Sequence, residues 1–200
     1  MAGCTYIAPV SVAPNMDVVS SYGEKLPGSY LLYVEGDQFA QMVEATGYAC
    51  AAHAYPVDAG TAFRNSTVQT IQQLVDSVQV VEQPVSASEL AAQGKMGMII
   101  VDAQSLQARF VVLRGFGSAT ADANVDMAAT ISVDGRNGRL FGTTVEGSGN
   151  AQSDAGVMCG GAATALGEAT QTAMNKLIGE MGDRLSNSTR LREAASPGAK

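Results

Sequence analysis

The strictest constraint on this chain is a run of alternating residues followed by a turn. Val125, Met127, Ala129, Ile131 and Val133 occupy every second position, with polar or small residues between them. Successive side chains of a strand point to opposite faces, so this pattern spells a strand buried on one side. Asp134-Gly135-Arg136-Asn137-Gly138-Arg139 comes next, rich in residues that tolerate positive φ, and residues 140–147 return as a second arm. Upstream, Met98-Ile99-Ile100-Val101 reads as a buried strand and residues 106–113 as another, separated by the polar residues 102–105. Residues 115–123 read as a loop.

An apolar sheet face has to be covered. The cover is predicted near the C-terminus, where Leu166, Thr170, Ala173, Leu177, Met181 and Leu185 recur at helical spacing, reinforced by Met174 and Ile178. This helix is expected over residues 155–185, after a linker at 146–154. Gly160, Gly161, Ala162 and Ala163 near its start permit close approach to another backbone.

The first half is less regular. Tyr30-Leu31-Leu32-Tyr33-Val34 reads as a strand, residues 38–46 as a short helix capped by Asp37, and residues 48–55 as a weaker strand ended by Pro56. A helix follows, with Asn65 or Ser66 as its cap and Val68, Ile71, Leu74 and Val75 on one face. It leads to a short strand at 78–81 and one further turn capped by Ser86 or Ser88. The order implies an α+β fold: a mostly antiparallel sheet with helices packed on one face and a long C-terminal helix.

Composition excludes several functions. Among 200 residues, 16% are charged, the net charge is -7 and the few basic residues are scattered. Nucleic-acid binding draws on clustered Lys and Arg, so no nucleic-acid partner is expected. No apolar run approaches the roughly 20 residues that cross a bilayer as a helix.

Three cysteines are present, Cys4, Cys50 and Cys159. Cys4, preceded by Ala2-Gly3, resembles the processing site of a bacterial lipoprotein, where the Cys becomes the lipidated first residue of the mature protein. An ordinary start followed by chance residues is the alternative. Residues 5–26 carry Pro9, Pro14 and Gly23 and read as a tether. With Cys4 lipidated, Cys50 and Cys159 are left as an even pair. In an oxidising periplasm they make a candidate disulfide, against the alternative of two separate buried thiols. The organisation expected is a lipid-attachment site and extended tether at 1–28, a single α+β domain at 29–185 and a polar disordered tail at 186–200.

The Ala-Gly-Cys start, the first strand, the helix leading into a Val-rich segment (63–81), the hairpin around Asp134-Gly135 and the Ala-rich last helix ending in Arg184-Leu185 together resemble small bacterial envelope lipoproteins of the YajG and LPS-assembly (LptE-like) type. The resemblance spans most of residues 29–185 and is architectural. It implies a non-enzymatic accessory anchored in the outer membrane and facing the periplasm, acting through an envelope protein partner or through its own copies. Cys50 and Cys159 match no pattern of that family. Thr5, where Asp would disfavour export outward, fits outer-membrane placement.

No catalytic, metal or cofactor site is expected. His53 is the single histidine. Cys50 and His53 supply two of the three or four ligands zinc needs, on opposite faces of the strand predicted there. The same placement points them apart as a nucleophile and base. Gly115-Phe116-Gly117 lacks a third glycine and a following helix, so no phosphate loop is formed. Gly160-Gly161 near a helix start is a weak anion candidate. Asp122, Asp126 and Asp134 lack calcium-loop spacing. The methionines are expected mainly in the core. The alternative function is a soluble periplasmic small-ligand binder or enzyme whose site is built from loops such as 115–123.

Overall fold

The computed structural model describes residues 23–45, 50–115, 118–156 and 159–195. Bulky β-formers make Leu26–Glu35 the first strand, β1. Ala40–Glu44 (β2) and Ala54–Asp58 (β3) pair antiparallel as a separate small sheet. Then come helix α1 (Gly60–Leu74), strand β4 (Val75–Val80) and the short helix α2 (Ala87–Ala92). Three long strands follow, β5 (Gly97–Arg114), β6 (Ala119–Gly135) and β7 (Gly138–Asp154), and the chain ends in α3 (Gly161–Ser186) and α4 (Thr189–Ala195).

The main sheet has the order β4-β1-β5-β6-β7. β1 runs parallel to both β4 and β5, while β5, β6 and β7 form an antiparallel meander. The fold is α+β with a long C-terminal helix, and its sheet is mixed. The two parallel pairs arise because α1 and α2 carry the chain back between β1, β4 and β5. One face of the sheet is covered by α1, α3 and the β2–β3 hairpin, which enclose Tyr30, Leu32, Phe63, Ile99, Phe110 and Leu177. The short α2 covers the opposite face, where Leu31, Leu90 and Met98 form a second, smaller cluster. Met98, Met127, Met174 and Met181 are all buried.

Several expectations are corrected. Residues 38–46 hold strand β2, not a helix: Phe39 and Val43 are buried, but Met42 is 58% exposed. Of the weaker strand expected at 48–55 only 54–55 are strand: residues 50–53 form a turn, and β3 runs from Ala54 through Pro56, which was expected to end it, to Asp58; residues 46–49 lie outside the described residues. Residues 98–113 form one strand, in which a register shift between Ala103 and Ser105 replaces the expected polar break. The loop at 115–123 is shorter, since β6 begins at Ala119. The linker at 146–154 is the second half of β7. The last helix begins at Gly161 rather than 155, and the tail expected to be disordered contains α4, whose Leu191 is buried.

The pairing of α3 with β7 explains the missed linker. Gly147 and Gly149 lie directly under α3, where added Cβ atoms would overlap the carbonyl oxygens of Ala173 and Ala169. Only glycine lets the two backbones approach this closely.

Candidate interaction surface

The sheet has two edges, and they are treated differently. Strand β7 borders α3, and three α3 side chains one turn apart reach over to it. Lys176 Nζ donates to Ser148 O at 2.8 Å, the Glu146 N–H donates to Glu180 Oε2 at 3.4 Å, and Arg184 donates to Thr144 O at 3.3 Å and Thr143 Oγ1 at 2.7 Å. Arg184 is also ion-paired to Glu180. Alternate residues 144, 146 and 148 would otherwise present unpaired backbone groups, the usual template for a neighbouring strand. The helix takes one backbone group on each of these three residues.

The opposite edge, β4, has no such cover among the described residues. The Val81 N–H donates to Leu32 O at 2.9 Å, so by strand alternation the backbone groups of Asp76, Val78 and Val80 point away from β1. Val80 is 47% exposed. Beside it α1 leaves a groove of about 740 Å³, lined by Val34, Val68, Val80 and Val81 with Gln69 and Gln72.

The groove ends in a small polar cluster at the C-terminal tip of β1. The Glu35 carboxylate accepts from the Gly36 and Asp37 backbone N–H groups at 2.8 and 2.9 Å and from the Tyr33 hydroxyl at 2.9 Å. Arg64 reaches across from α1, donating to Val34 O at 3.2 Å, with Asp37 at 3.4 Å and Glu35 at 3.8 Å. The Asp37 N–H and the Tyr33 hydroxyl hold the Glu35 carboxyl below the usual carboxylate range, outweighing its slight burial. On β5, burial and then the Glu35 charge push the Asp102 carboxyl up. Glu35 is an ionised hub for the strand end, held by two backbone N–H groups and the Tyr33 hydroxyl.

The residues tested for chemistry are dispersed. Cys50 and Cys159 are joined by a disulfide with Cα atoms 5.8 Å apart, so the Cys50 sulfur is not free to be a ligand or nucleophile. Cys50 and His53 stand in a turn rather than a strand, with the His53 N–H donating to Cys50 O at 3.1 Å. Gly161 N–H is used by Ala155 O at 3.3 Å, which removes a donor from the anion site considered at Gly160-Gly161. Asp122 accepts from Asn124, Asn150 and Gln152 at 3.2, 2.9 and 2.7 Å, whereas Asp134 is gripped by Arg139 across the hairpin turn at 2.8 Å. Asp126 sits 3.9 Å from Arg109. Among the described residues no group of three potential metal ligands forms. Cys4 lies outside the described residues.

Composition could have flagged the β4 surface. Residues 65–81 contain a single charged side chain, Asp76, in a chain of net charge -7.

No protein-family model matches this chain, and no curated protein matches it. Solved structures of similar shape exist. A Xanthomonas campestris protein of family DUF330 is 11% identical, covering 95% of this chain and 96% of its own, with a TM-score of 0.46. A Helicobacter pylori protein described as a homologue of neuraminyllactose-binding hemagglutinin is 10% identical, covering 94% and 91%, with a TM-score of 0.47. The lipoprotein GNA1162 from Neisseria meningitidis is 10% identical, covering 61% and 83%, with a TM-score of 0.32. None of these three is described as a YajG or LptE-like protein.

Proposed function

We propose that this chain is a lipid-anchored accessory of the bacterial envelope, held to the outer membrane through Cys4 and facing the periplasm, and that it works through protein–protein contacts rather than catalysis. The observation that carries this reading is the Cys50–Cys159 disulfide. Disulfides persist in oxidising compartments and are rare where thioredoxin and glutathione keep thiols reduced. The bond uses two of the three cysteines and leaves Cys4 for a separate fate. Among the described residues no helix is long and apolar enough to cross a membrane, so attachment would fall to the lipid. The residues before β1 then serve as attachment site and tether for the domain that follows, and the boundary expected at 28 moves back to Leu26, which is buried in the core.

The contact role follows from what the surface offers. The carboxylates of Asp122, Asp134 and Glu35 are engaged by an amide, an arginine and backbone donors, while among the described residues a strand edge and an adjoining groove stand open. Main-chain groups on such an edge recognise another strand, and the neighbouring pocket reads its side chains.

Mass spectrometry of the protein isolated from membranes tests the anchor. A diacyl or triacyl mass on Cys4, and release of a Cys4→Ser variant from the membrane fraction, are expected. An unmodified native N-terminus would remove this reading.

A further inference from the structure

We propose that β4 and the adjoining flank of α1 form a self-association surface, on which a second copy of this chain seats its own β4 antiparallel about a two-fold axis at Val78. This deepens the protein–protein reading above by naming the partner and the place.

Three observations converge on it. Among the described residues the two sheet edges differ. On β7, Thr144 O, Glu146 N and Ser148 O are engaged by Arg184, Glu180 and Lys176 of α3, while on β4 the backbone groups of Asp76, Val78 and Val80 point outward beside an open groove. Those outward groups are the ones an added antiparallel strand requires.

The second observation is charge. Two copies of a chain with net charge -7 repel each other over most of their surface. Residues 65–81, which supply the α1 flank and all of β4, carry only Asp76. Exposed Gln69 and Gln72 line the groove there, with half-buried Val68 and exposed Val80. The charged residues that also line the groove, Glu35, Arg64 and Glu82, fall outside this stretch, which leaves a surface of amides and valines around Asp76. Such a surface matches a copy of itself, since an amide both donates and accepts.

The third is register. A two-fold axis at Val78 places Val78 opposite Val78 of the second copy, Ser77 opposite Gln79, and Asp76 opposite Val80. No like charges meet, and the residues with outward backbone groups face each other as hydrogen-bonded pairs. A shift of two residues in one direction sets Asp76 against Glu82; a shift of two in the other leaves the outward groups of Val80 opposite Leu74, which ends α1, and a shift of four sets Asp76 against itself. A six-residue edge is small beside the roughly 800 Å² per partner of a lasting interface, so the α1 flanks must meet across the axis as well. The association closes at two copies, because about a two-fold axis each copy uses its single β4 edge.

Sedimentation equilibrium on the full chain tests this. A reversible monomer–dimer equilibrium is expected, weakened at least tenfold by Val80→Lys and by Gln69→Glu. Both substitutions fall on exposed side chains, and circular dichroism should show both variants folded. In a Cys4→Ser background, Val78→Cys should give a disulfide-linked dimer under mild oxidation, as only the proposed axis brings that position against itself. A chain that stays monomeric would leave the edge to a different protein's strand and overturn the proposal. So would assemblies larger than two, or dimers that both charge substitutions leave intact. Acylation of Cys4 is read separately by mass, so failure here and failure of the anchor are distinguishable.

Discussion

Gly147 on β7 lies beneath Ala173 of α3 with no space between them for a methyl group. A Cβ there would overlap the Ala173 carbonyl oxygen and crowd Leu177, so the helix would have to lift. Gly147→Ala is expected to cost about 3 kcal/mol, the upper end for overpacking, and Gly149→Ala a similar amount. Gly142→Ala is the control: its Cβ would meet only the flexible Arg139 side chain, at 3.4 Å. Urea unfolding of the three variants should separate the first two from the third, and equal midpoints would refute the close approach.

The disulfide joins the turn before β3 to the start of α3, and both cysteines adopt positive φ, 63° and 59°. Tyr55 Oη also donates to Cys159 O at 3.0 Å, so the bond and the ring hold the same corner. The sequence separation is 109 residues, and a loop of that size restricts the unfolded chain strongly. Replacing both cysteines with alanine should lower stability by about 2–5 kcal/mol. Dithiothreitol should lower the urea midpoint of the native chain and leave that of the double variant unmoved.

Two hydroxyls in α1 are sealed away without a hydrogen-bond partner, those of Thr67 and Thr70. A buried polar group with no partner costs free energy that an isosteric methyl does not. Thr70→Val should therefore stabilise the fold by about 1 kcal/mol, as should Thr67→Val. Loss of stability in both would show that the hydroxyls are satisfied in solution.

Glu35 and Asp102 should pull the pH dependence in opposite directions. The folded pKa of Glu35 lies below its unfolded value. Its contribution is full above the ordinary carboxylate range and is lost as pH falls through the folded value. The folded pKa of Asp102 is raised, so its contribution is full below the ordinary range and is lost as pH rises through the raised value. Asp102→Asn should stabilise the protein at neutral pH and not in acid. Glu35→Gln should destabilise it at neutral pH and flatten the decline on the acid side. Stability curves of the two variants that run parallel to the native curve from neutral pH into acid would contradict both assignments.

The elements legible in the sequence are those where one face is apolar and large. Residues 125–133 alternate into the core, and the stripe from Leu166 to Leu185 is buried along its length. What escaped has physical causes. Around β2, Phe39, Met42 and Val43 fit a helix as well as a strand, and a five-residue strand is too short to separate the periods. The strand is decided by pairing with β3 and by Gln41, whose side-chain amide bonds both Ala108 N, at 2.7 Å, and Ala108 O, at 3.2 Å. In β5 the irregularity between Ala103 and Ser105 switches the parity of buried positions, so one strand resembles two. In β7 the buried side chains after Val145 are hydrogens. Val145, Gly147, Gly149 and Ala151 still alternate, and a period-two series of small residues opposite an Ala-rich helix is the signal that would have found it.

The site was less legible than the fold. An open edge is a property of neighbours, and no residue of β4 announces that β7 is covered by Lys176, Glu180 and Arg184. The sparse charge of residues 65–81 was visible, but its meaning depends on α1 and β4 lying side by side.

The Cys50–Cys159 bond also changes what a single break in the backbone can do. Helices α1 and α2 and strands β3 to β7 all lie on the covalent ring it closes. One proteolytic nick anywhere on that ring yields two pieces that remain a single molecule, with unchanged mass apart from one water. In a compartment exposed to proteases, such a chain can be cut in a loop and lose no part of its sheet until the disulfide is reduced.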